Sequence, residues 1–235
     1  MSPGVVENPT PIVTLTLANG APAFDYEALF TTILTAKTSQ ESLDASITLA
    51  NGIAADPPTA YHVLSDLLPK IAKAAADKKS GASRESAMIV YGALYETLPS
   101  KAPTTEVLLV ETIGIVFDGL ADKGAVVRES AQYAVDALFA GLKLPALVSG
   151  LLSATERYLQ SPGSKWQGKV AALALIGKMA EKAVKAEKDQ GDVFLKDVMG
   201  RELEGLIPVV ESGMHDLKAE VRTIRSLYFI WDSDK

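Results

Sequence analysis

The feature that most constrains this chain is a short block that returns along it: a basic residue set among small or β-branched residues and followed by Ala. It reads Ser83-Arg84-Glu85-Ser86-Ala87, then Val127-Arg128-Glu129-Ser130-Ala131, then Gly168-Lys169-Val170-Ala171-Ala172, and ends at Val221-Arg222. The basic positions are spaced 44, 41 and 53 residues apart (84 to 128, 128 to 169, 169 to 222). A period of about 40–47 residues is that of a helical hairpin stacked on copies of itself, since one hairpin cannot bury its apolar face alone. An Asp recurs in the turn ahead of the block, at Asp77, Asp122 and Asp216. Paired with Arg84, Arg128 and Arg222 of the same or the adjacent unit, these carboxylates are expected to set a register that apolar contacts leave free to slip.

Helical periodicity fills the space between blocks. Phe24, Leu29, Phe30 and Ile33 share one face; Leu43, Ile47, Leu49 and Ala50 share the next. Ser39 is placed to cap that second helix, and Asn51-Gly52 with Asp56-Pro57-Pro58 to stop it. Tyr61, Leu64, Leu67, Leu68 and Ile71 form another stripe, followed by a polar turn over 77–81 and a helix over 83–98 that Pro99 and Pro103 are expected to break. Further helices are expected over 107–120, 126–142, 147–159 and 165 to about 185, and then over 203–214 and from 218 onward. A charged stretch over 182–191 lengthens the last interval. Hydrophobic residues make up 48% of the chain but aromatics only 6%, so the apolar content is mostly Ala, Leu, Val and Ile, which suits close helix packing.

The expected fold is all-α: a HEAT/armadillo-like α-solenoid of about five helical hairpins over residues 24–235. Residues 1–23 carry Pro3, Pro9, Pro11 and Pro22 and alternate Val and Thr between Ile12 and Leu17. They are expected to form an extended arm that is flexible unless it docks.

Several chemistries are excluded or unsupported. With no cysteine there is no disulfide, thiolate metal site or Cys nucleophile. A net charge of −6 argues against non-specific binding of the whole surface to DNA or an anionic membrane, while leaving room for a local basic stripe. The N-terminus lacks the pattern of a signal peptide, and no apolar run spans a bilayer, so a cytoplasmic, monomeric protein is expected. Gly163-Ser164-Lys165-Trp166-Gln167-Gly168-Lys169 has the spacing of a phosphate-binding loop. Yet Val170 stands where that loop needs a Mg²⁺-binding hydroxyl, and the preceding residues read as helix, not strand. His62 and His215 stand in different repeats, and Glu202 and Glu204 read as a solvated face. No catalytic residue, metal or cofactor is therefore expected, and the chain does not read as an enzyme.

A better lead is the cluster Lys165, Lys169, Lys178, Lys182, Lys185 and Lys188 in one helix and its exit. Lys178, Lys182 and Lys185 follow three- and four-residue spacing and share a face. Such a stripe suits rRNA phosphates or an acidic protein surface. The alternative is an ordinary solvated face balanced by Glu181, Glu187 and Asp189. Trp166 is expected to anchor the core at the start of this helix.

The run Ser164-Lys165-Trp166-Gln167-Gly168-Lys169-Val170-Ala171-Ala172, then Leu203-x-x-Leu206-Ile207-Pro208-Val209-Val210, then Lys218-Ala219-Glu220-Val221 resembles the N-terminal HEAT region of fungal translation elongation factor 3. The resemblance is best over residues 161–222. Members of that family are longer, ribosome-associated ATPases whose HEAT array precedes a helical bundle and two ATP-binding cassettes and contacts the ribosome. The resemblance implies a ribosome-facing surface here, with Lys165 and Lys169 the best-matched basic positions; ATPase activity does not carry over to a chain without a phosphate-binding loop. The divergent first half implies an elongation-factor-3-like paralogue. The final residues, Ser226 to Lys235, depart from a repeat helix, as a truncated gene model would. Two functions are thus expected: a ribosome-docking HEAT module binding rRNA and ribosomal proteins, or a stand-alone HEAT scaffold for a transport or regulatory protein.

Overall fold

The computed structural model describes residues 24–141 and 145–190. They are helical: α1 (Tyr26–Leu34), α2 (Ser39–Ala54), α3 (Pro57–Ala75), α4 (Gly81–Lys101), α5 (Glu106–Glu111), α6 (Ile113–Leu120), α7 (Ala125–Gly141), α8 (Pro145–Gln160) and α9 (Trp166–Gln190). A single 3₁₀ turn, Pro103–Thr105, joins α4 to α5. Among the described residues the helices form four antiparallel hairpins, α1/α2, α3/α4, α5–α6/α7 and α8/α9. This is the all-α HEAT solenoid that the repeat spacing predicts. The expected arm over 1–23 and the helices beyond 203 lie outside the described residues.

Local signals explain most of the boundaries. The Thr38 hydroxyl, one residue before the expected Ser39, accepts the Glu41 N–H at 3.1 Å and caps α2. The Ser80 hydroxyl does the same for Ser83 at 3.0 Å and starts α4. Pro57 opens α3 at a position where its missing N–H costs nothing. Two expected stops do not act. α2 runs through Asn51-Gly52 to Ala54, and Gly52 lies against the Phe24 ring, which a Cβ there would meet at 2.4 Å. α4 continues past Pro99 to Lys101, its last turn held by packing.

One expected helix is split. Residues 107–120 divide into α5 and α6 at Thr112, whose hydroxyl lies 2.6 Å from the Tyr95 hydroxyl and 2.7 Å from the Leu109 carbonyl oxygen. Tyr95 is buried in α4 and needs a partner for its O–H. The Thr112 hydroxyl supplies it.

The core is continuous through the stack. α4 is its spine: residues 86–95 are buried in unbroken succession, because α2, α3 and α7 surround the helix. Glycines set the closest approaches. A Cβ at Gly92 would fall 2.2 Å from the Tyr133 ring of α7, and one at Gly119 would fall 2.5 Å from the Met88 sulfur. Tyr133 packs against α4 at Gly92 and donates its hydroxyl to Glu96 at 2.7 Å. These contacts place the turns between paired helices side by side along one edge of the stack.

Candidate partner-binding surface

Three of those turns carry the charged residues of the recurring block. In the first, the Asp77 carboxylate caps its own turn, accepting Lys79 N–H at 2.8 Å, while its carbonyl oxygen accepts Arg84 Nη1 at 2.7 Å. The other side of the Arg84 guanidinium reaches the next repeat. Nε and Nη2 donate to the two Asp122 oxygens at 2.7 and 3.2 Å, a bidentate pair whose side chains are only 10% and 12% exposed. Asp122 also accepts the Gly124 N–H at 2.8 Å. Desolvation opposes ionisation of Asp122. The hydrogen bonds from Arg84 and Gly124, with the nearby charges of Arg84 and Lys165, outweigh it and hold the carboxyl below the usual range.

Arg128 repeats half of this arrangement. Its Nη1 donates to the carbonyl oxygens of Asp122 and Lys123 at 2.8 and 3.1 Å, as Arg84 does to its own turn. The next turn offers no carboxylate: six residues before Lys169, where Asp122 stands relative to Arg128, the sequence has Gly163. Lys165 stands beside it instead, with Nζ 3.5 Å from the Asp118 carbonyl oxygen. Asp216 and Arg222 lie outside the described residues.

The basic residues of α9 do not form one stripe. Lys165 immediately precedes the helix and Lys169 sits in its first turns, beside α6. Lys178 lies nine residues after Lys169, about two and a half turns, on the opposite side. There it meets Asp136 of α7 at 3.4 Å. Lys182 and Lys185 continue along α9 in the part where only the backbone is described. Trp166, expected in the core, is 41% exposed at the head of α9. The core there is filled instead by Phe117 and Tyr158, whose rings are 5.2 Å apart.

The same contact explains the glycine of the apparent phosphate-binding loop. A Cβ on Gly168 would fall 2.1 Å from the Tyr158 hydroxyl and 2.8 Å from the Phe117 carbonyl oxygen, so this glycine serves packing. α8 precedes the loop where a strand is required. Nearby, Glu111, Asp118, Tyr158 and Ser164 line a shallow notch between α6 and the α8–α9 turn. Its groups bond to protein: Arg157 spans both Glu111 oxygens at 2.8 and 2.7 Å, Tyr158 donates to Asp118 at 2.8 Å, and Ser164 to the Tyr158 carbonyl at 2.7 Å. Burial, and then the Asp118 carboxylate, raise the Tyr158 pKa and keep its proton in place.

His62 is exposed on α3, and His215 lies outside the described residues. Among the described residues no group of three or more His, Cys, Asp or Glu converges as a metal site, and no helix is long and apolar enough to cross a membrane. Lys123 and Arg128 are exposed at the α6–α7 turn, and Lys165 of the next turn approaches Asp118 at the end of α6, a grouping the repeat pattern does not predict. Its one signal in the sequence is the absence of an Asp from the 161–164 turn.

Residues 44–224 match the family model described as the EF3 N-terminal HEAT repeat, so the match starts far ahead of residue 161. The mRNA export factor elf1 of Schizosaccharomyces pombe is 31% identical over 205 residues, covering 87% of this chain and 18% of that protein. The NU+ prion formation protein 1 of Saccharomyces cerevisiae is 30% identical over 156 residues, covering 66% of this chain and 12% of that protein. The chain thus spans less than a fifth of the length of either relative. No solved structure matches it. With its helical hairpins and its match over residues 44–224, the chain belongs to the family of elongation-factor-3-type N-terminal HEAT repeats.

Proposed function

We propose that this chain is a non-catalytic docking module of an elongation-factor-3-like protein, which binds ribosomes through rRNA and ribosomal proteins. The observation that carries this reading is the family match over residues 44–224. The basic residues Lys165 and Lys169 at the α8–α9 turn support it, as exposed or half-exposed cations in an otherwise acidic protein. Lys178, Lys182 and Lys185 are assigned to a separate, second contact on the other side of α9. In the same proposal Asp77, Arg84, Asp122, Arg128, Asp216 and Arg222 are structural residues that fix the register between repeats. Residues 1–23 are assigned as an arm distinct from the repeat domain over 24–235, and the site of action as the cytoplasm.

Co-sedimentation with purified ribosomes at low and high salt tests the reading. Ribosome pelleting that falls with salt, and that weakens several-fold in Lys165→Glu/Lys169→Glu, is the expected result. Pelleting that is absent at low salt overturns it. A second reading, a HEAT scaffold for a protein of a transport pathway, is favoured by the name of the fission-yeast relative, an mRNA export factor. It predicts capture of a protein partner with no ribosome association.

A further inference from the structure

Arg128 completes only half of the arrangement that Arg84 completes. Both guanidinium groups are anchored through Nη1 to the carbonyl oxygens of their own turn. Arg84 then spends Nε and Nη2 on the carboxylate of the following repeat. For Arg128 the following turn supplies Gly163 and Lys165, and its Nε and Nη2 take no partner among the described residues. An anchored guanidinium with two free donors has the shape that receives an oxyanion bidentately, and little rotamer freedom remains to be lost on binding.

The surroundings select a polyanion. Lys78 and Lys79 in the α3–α4 turn, Lys123 in the α6–α7 turn and Lys165 in the α8–α9 turn are exposed, and Lys169 is half-exposed. The Arg84–Asp122 pair links the first two turns, and the approach of Lys165 to Asp118 links the second to the third. The acids of these turns are engaged internally: Asp77 by its own turn and Asp122 by Arg84. Glu129 is exposed one residue after Arg128, about 100° around α7. Val126 and Trp166, 49% and 41% exposed at the heads of α7 and α9, add apolar surface between the cations. Cations following successive repeats, interleaved with apolar surface, fit a nucleic-acid strand with its regular phosphates and stacking bases better than an acidic peptide.

We infer that the turn edge of the solenoid is an RNA-backbone site, centred on the free fork of Arg128 and flanked by Lys123 and Lys165. This deepens the ribosome-docking reading and rests on it for the source of the RNA. The test uses the full chain, a fluorescent 20-nucleotide oligouridine and a poly-glutamate peptide of equal charge, read by anisotropy across a salt series. Neutralisation of three phosphates gives a log K against log salt slope of roughly −2. Arg128→Gln/Lys123→Gln/Lys165→Gln is expected to lower RNA affinity at least ten-fold at low salt and to flatten the slope. Lys101→Gln, at the far end of α4, should match wild type. An unchanged triple variant, absent RNA binding, or tighter binding of poly-glutamate each overturns the inference. Circular dichroism of the triple variant must match wild type; if it does not, Arg128→Lys, which keeps the charge and loses the fork, replaces it, and undiminished RNA affinity in that variant overturns the inference. Ribosome pelleting unaffected by the triple variant leaves the docking reading standing without this site. RNA binding lost by the variant, with no ribosome pelleting by wild type, does the reverse.

Discussion

At the scale of single residues, Asp122 carries more constraint than any other described acid. It closes its own turn through Gly124 and joins two repeats through Arg84. Removing one partner of a largely buried pair leaves the other charge without compensation, a loss of about 3 kcal/mol. Asp122→Asn should therefore lower the melting temperature at pH 7 by several degrees. The pH dependence has a definite sign. Because the folded carboxyl titrates below its unfolded value, its contribution is complete above the ordinary carboxylate range near 4. It is lost as pH falls through the depressed folded value. Wild type and Asp122→Asn should thus converge in stability on acidification, as thermal melts between pH 7 and pH 2.5 would show. A gap that stays constant over that range would assign the loss to packing.

At the scale of the helices, the split between α5 and α6 is the feature to test. The Tyr95 hydroxyl is buried, and the Thr112 hydroxyl is its partner at 2.6 Å. Thr112→Val keeps the shape and orphans Tyr95, costing about 1–3 kcal/mol. Tyr95→Phe with Thr112→Val removes both polar groups and should recover part of that loss. A double-mutant cycle by urea denaturation measures the coupling, and strictly additive losses would show that the hydroxyls do not act together. Periodicity could not reveal this break, because residues 107–120 carry an unbroken apolar pattern and the partner of Thr112, Tyr95, lies in another helix. Pairing of the helices was legible, since the turns at 77–81, 121–124 and 161–164 are written in Asp, Gly, Ser and Lys. The candidate surface was legible only in part. Lys165 and Lys169 stand out as cations, and the nine-residue step to Lys178 already separates them by helical geometry. The open fork of Arg128 depends on what the next turn lacks, which becomes meaningful only once Arg84 is seen gripping Asp122.

At the scale of the whole molecule, a stack of hairpins holds together by neighbour contacts alone, so its weakest seam decides whether it unfolds as one body. The broadest seam among the described residues lies between α4 and α7. It is closed by Gly92 against the Tyr133 ring, with Tyr133 fixed by Glu96, and by the Arg84–Asp122 pair at the turn edge. Gly92→Val drives a branched side chain into a ring already at contact, and overpacking of this kind costs about 1–3 kcal/mol. The loss falls on the interface between repeats, because α4 keeps its own hydrogen bonds and Val is an acceptable helix residue. Residues 81–101 should therefore stay protected with α2 and α3, while α7 to α9 exchange amide hydrogens faster. Urea unfolding should broaden or divide into two transitions, with a smaller slope for the first. The same seam joins Lys78 and Lys79 to Lys123 and Arg128 along the turn edge, so the variant should also weaken oligouridine binding without any change of charge. A single sharp transition with wild-type slope and uniform exchange would show that the stack is coupled elsewhere.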